Sequence, residues 1–504
     1  MPHMPLFKTL STCAKARFTT AMSRNLSSSI RPGIVHRAGT TPESHRLLET
    51  LLEDDRKTHH CFSNPIGFHN HLSHHLLAAY DLGASAKLLQ AINDDAGDSV
   101  GIQRPIDLDE PKAPAPITEK NWTEYLGQQK SYSAYLTFFL EVISTTSASA
   151  ALEKYVFSPA ANGNGSEMFA RFMGGAFHPF IQTGYAAEFG SDPMVAQGLA
   201  MAAVTGPFVP ALFNDNAAQT TQSAPSLSLF EIIRRVYDSE TLHPVMPYDN
   251  DALLGKRIKD AASGGRVEAI RELVAQWFSA DEGVAQLEHK HEELVWVATL
   301  LLAGSGRPGR QPRLDFFLMH ILNSSLFIPS LLKLVPAPAL KVKLLKAHLA
   351  VAIFILITRG RPRIDAELMM SNTATPAPPA SATRHLKFPP SPSAVGDPND
   401  KDTANPWDVI VPCVMHAQDS HIVKAIRTLY FASQRFGHTA AGAVPGALDK
   451  DGKETHKGMQ ALDGSVFVRA AGLAMDAIGW VTYGEEERRW DGSAHGWDDA
   501  WKED

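Results

Sequence analysis

Apolar residues recur three and four positions apart along most of this chain, the spacing that lays one stripe down an α-helix. Leu47, Leu48, Leu51 and Leu52 form such a stripe in a short helix that begins at Ser44. Asn64-Pro65-Ile66-Gly67 is a turn. It delivers the chain to Phe68-His69-Asn70-His71-Leu72-Ser73-His74-His75-Leu76-Leu77, which runs on as an apolar helix to about Gly83. Tyr132, Tyr135, Phe138 and Phe139 repeat at helical spacing. Further helices are predicted over 230–237, 267–278, 287–302 and 314–322, with one or two more over 336–358. A last one, continuous over 411–436, carries the stripe Val414, Met415, Ile422, Ala425, Ile426 and Leu429. Residues 314–322 are apolar almost all round, so that helix is buried. The expected fold is all-α, one large multi-helix domain over 43–504 with long surface loops. One loop covers 92–120. The other, 371–406, is rich in Pro, Ser, Thr and Ala and is expected to be mobile.

Composition narrows the class. A 44% apolar and 20% charged chain of 504 residues is that of a globular protein with a large core. The net charge of −7 comes without a cluster of Lys and Arg large enough to hold phosphates, which argues against nucleic acid as a partner. Cys13, Cys61 and Cys413 are far apart and suggest neither a disulfide framework nor a thiolate metal site. Residues 1–42 hold no Asp or Glu, while Lys8, Lys15, Arg17, Arg24, Arg31 and Arg37 recur among Ser and Thr. That segment is a disordered basic tail or a mitochondrial transit peptide, so the expected location is cytoplasmic, or mitochondrial in the second case. No apolar run reaches the ~18 to 20 residues that span a bilayer, and 349–357 falls short of it.

The candidate chemistry lies in the histidines. His69, His71, His74 and His75 fall within seven positions. On a helix His71 and His75 share a face. Imidazole is the commonest protein ligand for a transition metal, although such rings also cap helices or face solvent. In Gly174-Gly175-Ala176-Phe177-His178-Pro179, the proline suits a first helical turn and places His178 at a helix mouth. His320 sits inside a buried helix and must find a partner for its ring nitrogens. His421 and Lys424, three apart, border the stripe of the last helix. A lysine there snorkels to water; if enclosed, it becomes a neutral nucleophile able to add carbon dioxide and ligate a metal as a carbamate. Gly304-Ser305-Gly306-Arg307-Pro308-Gly309 matches Gly-x-Gly-x-x-Gly, but it follows a helical run and contains a proline, so a surface connection is expected and not a nucleotide loop. Arg359, Arg361 and Arg363 make a basic turn that could hold an anionic group.

Four motifs taken together resemble the questin oxidase-like proteins of fungal polyketide pathways. They are Asn70-His71, Gly175-Ala176-Phe177-His178-Pro179, Phe317-Leu318-Met319-His320 followed by Ser324-Ser325, and Asp419-Ser420-His421-Ile422-Val423-Lys424. The similarity spans roughly 60–485. It implies a mainly helical oxygenase that opens an anthraquinone-type ring with dioxygen in secondary metabolism. It also implies a non-haem iron centre with His71, His178, His320 and His421 as imidazole ligands and Lys424 as a carboxylated ligand. His75 stays open as an alternative to His71 or a support behind it. The implied cofactor is Fe(II), with NADPH possible, and the partners are a small aromatic polyketide and O2. Tyr80, Phe177, Tyr185 and Phe317 are the expected walls of the substrate pocket. Two other readings remain: an NADPH-dependent Baeyer–Villiger monooxygenase without metal, and a zinc-dependent hydrolase with a carbamylated lysine.

Overall fold

The computed structural model describes residues 26–502 apart from 28, 65–66, 99–103, 107–115, 215–225, 280–283, 380–390, 392, 394, 396–399 and 401–402. Among the described residues there are twenty α-helices and no sheet, and only isolated bridges of extended backbone occur. The all-α expectation holds. Most of the predicted loop at 371–406 and much of 92–120 lie outside the described residues, as does the basic segment up to residue 25.

The helices that matter for the site are α1 (Pro42–Thr58), α2 (Leu72–Asp81), α3 (Ala86–Asp98), α4 (Tyr132–Thr145), α5 (His178–Phe189), α6 (Asp192–Val204), α7 (Leu287–Ala303), α8 (Phe316–Ser325), α9 (Pro338–Thr358), α10 (Trp407–Val414), α11 (Ser420–Phe436) and α12 (Val466–Ile478). Their ends follow local chemistry. Thr41 caps α1 in a reciprocal box with Ser44. Gly190, at φ +78°, ends α5, and Ser191 accepts from Met194 N to start α6. Four of these helices form a closed square in which each packs on the next: α2 on α5, α5 on α8, α8 on α11, and α11 back on α2.

Two expectations change. The predicted continuous helix over 411–436 is two helices. The Asp419 carboxylate accepts from His421 N, and the Glu487 carboxylate takes the N–H groups of Gln418 and Asp419. These groups make a new helix start, and His421 lies in its first turn. The folded body also begins before residue 43. Arg31 donates to the Glu188 and Ala187 carbonyls at the end of α5. The backbone N–H groups of Ile34, Val35 and His36 reach the buried carboxylates of Glu188 and Asp81. The Gly304–Gly309 run joins α7 to a stretch that becomes helical only at Phe316, so it opens no helix and serves as a connection.

Candidate metal centre

The start of each helix of the square, or its first turns, brings a histidine to one place: His71 at the N-cap of α2, His178 opening α5, His320 in α8 and His421 in α11. Neighbouring rings are in contact all the way round: His71 and His178 have centroids 4.8 Å apart, His178 and His320 5.0 Å, His320 and His421 5.3 Å, and His421 and His71 4.4 Å. One nitrogen from each of His71, His178 and His421 falls within 4.8 Å of the others, a spacing compatible with a common ion. His320 is not in that group of three, and its ring lies against those of His178 and His421.

The hydrogen bonds behind the rings fix which nitrogen faces inward. His320 Nδ1 donates to the Phe316 carbonyl at 2.7 Å, His178 Nδ1 to the Gly175 carbonyl, and His421 Nδ1 to the Asp419 carboxylate at 2.6 Å. Those acceptors carry no hydrogen, so each Nδ1 must hold the proton and each Nε2 keeps its lone pair. The Nε2 atoms of His320 and His421 are buried without a hydrogen-bond partner. Buried nitrogens oriented from behind and unsatisfied in front are what a metal site needs before it is loaded. Burial holds the pKa values of His71, His178 and His320 well below the usual imidazole value and lowers that of His421 against the pull of Asp419. All four rings are thus neutral at pH 7.

Lys424 lies one turn beyond His421 and is 3% exposed. Its Nζ is 3.0 Å from His71 Nδ1, which also faces the Ser420 hydroxyl at 3.1 Å. Burial brings the lysine pKa down to about 7, with Asp419 resisting. The amine is therefore largely available in its neutral form near physiological pH.

His75 also is buried, with Nε2 unpartnered and its pKa lowered by burial to about 4, but the ring of imidazoles closes through His71. Two histidines given no role by sequence reasoning border the site. His69 stacks flat on His178 at 4.0 Å and 5°. His74 bonds Gln182 Oε1 at 2.8 Å and lies against His71 at 5.7 Å. Residues 175–177 are all left-handed, with φ of +56°, +52° and +68°. Ala176 and Phe177 carry side chains in that conformation, a strain of about 1 to 3 kcal/mol each, of the kind that gathers at functional sites.

Of the expected pocket walls, Phe317 lies at the site, half-buried, with its ring 6.4 Å from His320. Phe177 instead stacks on His348 behind the site at 4.6 Å, Tyr185 packs on His74 and Phe327, and Tyr80 meets His45 at the far end of α2. These three are buried in the core: Phe177 as the left-handed N-cap of α5, Tyr185 on a helix buried on every side, and Tyr80 in the last turn of α2. Phe316, which the spacing did not single out, touches both His320 at 4.8 Å and His421 at 4.9 Å. Trp490 Nε1 donates to Asp419 Oδ2 at 2.7 Å. Phe316, Phe317 and Trp490 are half-buried and give the site an aromatic rim. No single helix among the described residues is long and apolar enough to cross a membrane.

A questin oxidase from Aspergillus terreus is 28% identical over 437 residues, covering 84% of this chain and 86% of the relative. A questin oxidase from Aspergillus fumigatus is 31% identical over 313 residues, 60% of this chain and 68% of the relative. A Baeyer–Villiger oxidase from Paecilomyces divaricatus is 28% identical over 312 residues, 60% of this chain and 65% of the relative. The questin oxidase-like family matches residues 68–429, a span that holds His71, His178, His320, His421 and Lys424. The chain belongs to the questin oxidase-like family and is an oxidoreductase.

Proposed function

We propose that this protein is a non-haem iron(II) oxygenase that opens the ring of an anthraquinone-type aromatic polyketide with dioxygen. The observation that carries the proposal is the closed ring of four imidazoles whose inward nitrogens are oriented from behind and, at His320 and His421, have no other partner. Imidazole donors with one oxygen donor suit iron(II). The family relatives, named as questin oxidases and Baeyer–Villiger oxidases, supply the substrate class.

In this reading His71, His178, His320 and His421 hold the ion, which when bound supplies the site for activating dioxygen. The neutral amine of Lys424 could add carbon dioxide, forming an N–C bond and releasing an amine proton to solvent, and the resulting carbamate would offer an oxygen donor to the ion. The modification also suits His71. An ammonium at position 424 can only donate to Nδ1, whereas a carbamate oxygen accepts from Nδ1–H and frees the Nε2 lone pair for the metal. Ser420 can accept from the same Nδ1. Phe316, Phe317 and Trp490 stack a flat substrate and exclude water, and Asp419 fixes both Trp490 and His421.

The test is metal analysis of freshly purified protein, followed by oxygen uptake with an anthraquinone-type substrate. The expected result is one iron per chain, with uptake lost on chelation and restored by iron(II). Turnover that consumes NADPH and survives chelation would instead select the Baeyer–Villiger reading without metal. Turnover under strict anaerobiosis would select the hydrolase.

A further inference from the structure

Three of the ligand helices meet a second time, away from the histidines. Asp81 on α2, Glu188 on α5 and Arg427 on α11 form a cluster whose side chains are all fully buried. Arg427 Nε and one terminal nitrogen both donate to Asp81 Oδ2, at 3.0 and 2.8 Å, and the same terminal nitrogen reaches Glu188 Oε1. Asp81 lies ten residues beyond His71, and Glu188 ten beyond His178. At the helical rise, both stand about 15 Å along their axes from the imidazoles. Arg427 is six residues, or about 9 Å, from His421.

We propose that this cluster is a clamp that sets the register of the metal-ligand helices, with Arg427 as its positioning residue. The proposal rests on the reading of the four-imidazole ring as a metal site. Between the two levels lie Leu76, Leu77 and Tyr80 on α2, Phe180, Ile181 and Tyr185 on α5, and Ile422 and Val423 on α11, all buried and nearly all without charge or polar groups. Apolar contact is non-directional, whereas a charged pair is met at one place along each helix, and a slip of one turn, about 5.4 Å, would carry a ligand out of reach. Buried ion pairs add little net stability over apolar packing, and setting register is their best-attested use. A guanidinium that must satisfy carboxylates from two other helices has one axial solution.

The clamp is joined to the ligands by packed groups. The Arg427 guanidinium lies 5.6 Å from the Tyr185 ring centroid. Tyr185 stacks on His74 at 4.9 Å and 17°, and His74 abuts His71. Thr428, beside Arg427, donates to the Lys424 carbonyl at 2.9 Å.

The experiment uses the full chain stripped of metal and titrated with cobalt(II) alone, followed by its visible absorption, beside circular dichroism and thermal unfolding without metal. The variants are Glu188→Gln, which keeps the shape of the side chain, and Arg427→Lys, which keeps the charge and loses the fork. Ile270→Ala, on the buried face of the helix Arg266–Ala275 and away from the ligand helices, is a control that weakens the core elsewhere. The expected result is cobalt(II) affinity lower by about tenfold or more in both clamp variants and within about twofold of wild type in the control. Clamp variants that melt earlier yet bind cobalt(II) as tightly as wild type would overturn the clamp and leave the metal site standing. Failure of wild type itself to bind cobalt(II) would overturn both.

Discussion

His71 and His178, 107 residues apart in the chain, bring their Nε2 atoms to 2.9 Å. Because the Gly175 carbonyl holds the His178 proton on Nδ1, the bridging proton of that contact belongs to His71. The two rings thus share one proton where a metal would put two bonds. The site is a set of buried nitrogens with too few hydrogens and too few partners, a cost to stability that a bound ion would remove.

His320→Leu tests that trade directly. The imidazole is 1% exposed and its inward nitrogen has no partner, so leucine fills nearly the same space and removes an unsatisfied polar atom. The metal-free variant is expected to melt at or above the wild-type temperature, while bound iron falls far below one per chain. A variant that keeps stoichiometric iron would exclude His320 from the ligand set.

Asp419 has three jobs that two substitutions separate. Its carboxylate caps α11, orients His421 and holds Trp490. Asp419→Asn keeps one oxygen for the two His421 contacts, sets a donor NH2 where Trp490 Nε1 donates, and loses the charge that strengthens His421 as a ligand. Its metal affinity is expected to fall by about 10- to 100-fold with little change in stability. Asp419→Ala adds the loss of the cap, about 1 kcal/mol. Isothermal titration with cobalt(II) and chemical denaturation read the two effects separately, and equal affinity in Asn and wild type would refute the charge role.

The helices were legible because their apolar faces are. The square they build was not, since nothing in the local spacing around 71, 178, 320 and 421 says that those segments meet. The four-motif resemblance supplied those positions, and the ring contacts supply the reason. The break before α11 was missed because the apolar stripe runs through it, although Asp419-Ser420 is a helix-start pattern and Pro412 lies in the preceding helix. Aromatic residues misled in one direction. Tyr80, Phe177 and Tyr185 are large and apolar, which fits a core as well as a pocket. Phe316 and Phe317 face the site because Asp315 caps the helix just before them, through Phe317 N and Leu318 N.

A chain that starts at Leu26 keeps every described contact of the segment before α1. Deleting through Arg37 takes away the N–H donors that Ile34, Val35 and His36 give to buried Glu188 and Asp81. Each carboxylate oxygen left bare costs about 1 to 3 kcal/mol. Urea unfolding of the two truncations should show a large loss only in the longer one, and equal midpoints would mean that the segment is dispensable.

The buried histidines set the acid limit. Burial lowers His60, His75, His291 and His456 to about 4 and His69 and His348 to about 3. The unfolded chain binds protons at these sites below about pH 6.5, and the folded chain does not until pH 4 or lower. Stability is therefore complete above pH 6.5 and lost as the pH falls through that window, by roughly 1.4 kcal/mol per unit for each ring. Lys424, lowered to about 7 by burial, acts at the other end. The unfolded lysine is protonated below about pH 10.5, so its burial costs less as the pH rises from 7 to 10. The metal-free protein should gain stability from pH 7 to 9 through this group, and Lys424→Met should abolish that gain. An identical pH slope in the variant would show that the amine is solvated.

Gly175 and Ala176 offer the last contrast. Both are left-handed, but an added Cβ at Gly175 would stand 2.8 Å from His69 Cε1 and 3.3 Å from Thr205 Cγ2. Gly175→Ala therefore combines a left-handed alanine, about 1 kcal/mol, with a push on the ring that stacks on His178. Its carbonyl also orients His178, so the backbone shift reaches a ligand directly. Ala176→Gly removes strain and adds freedom to the unfolded chain, effects that nearly cancel. The expected outcome is weaker cobalt(II) binding and lower stability in Gly175→Ala, and near wild-type values for both in Ala176→Gly. Wild-type cobalt(II) affinity in Gly175→Ala would show that the left-handed turn supports the helix start and has no hold on the His178 ring.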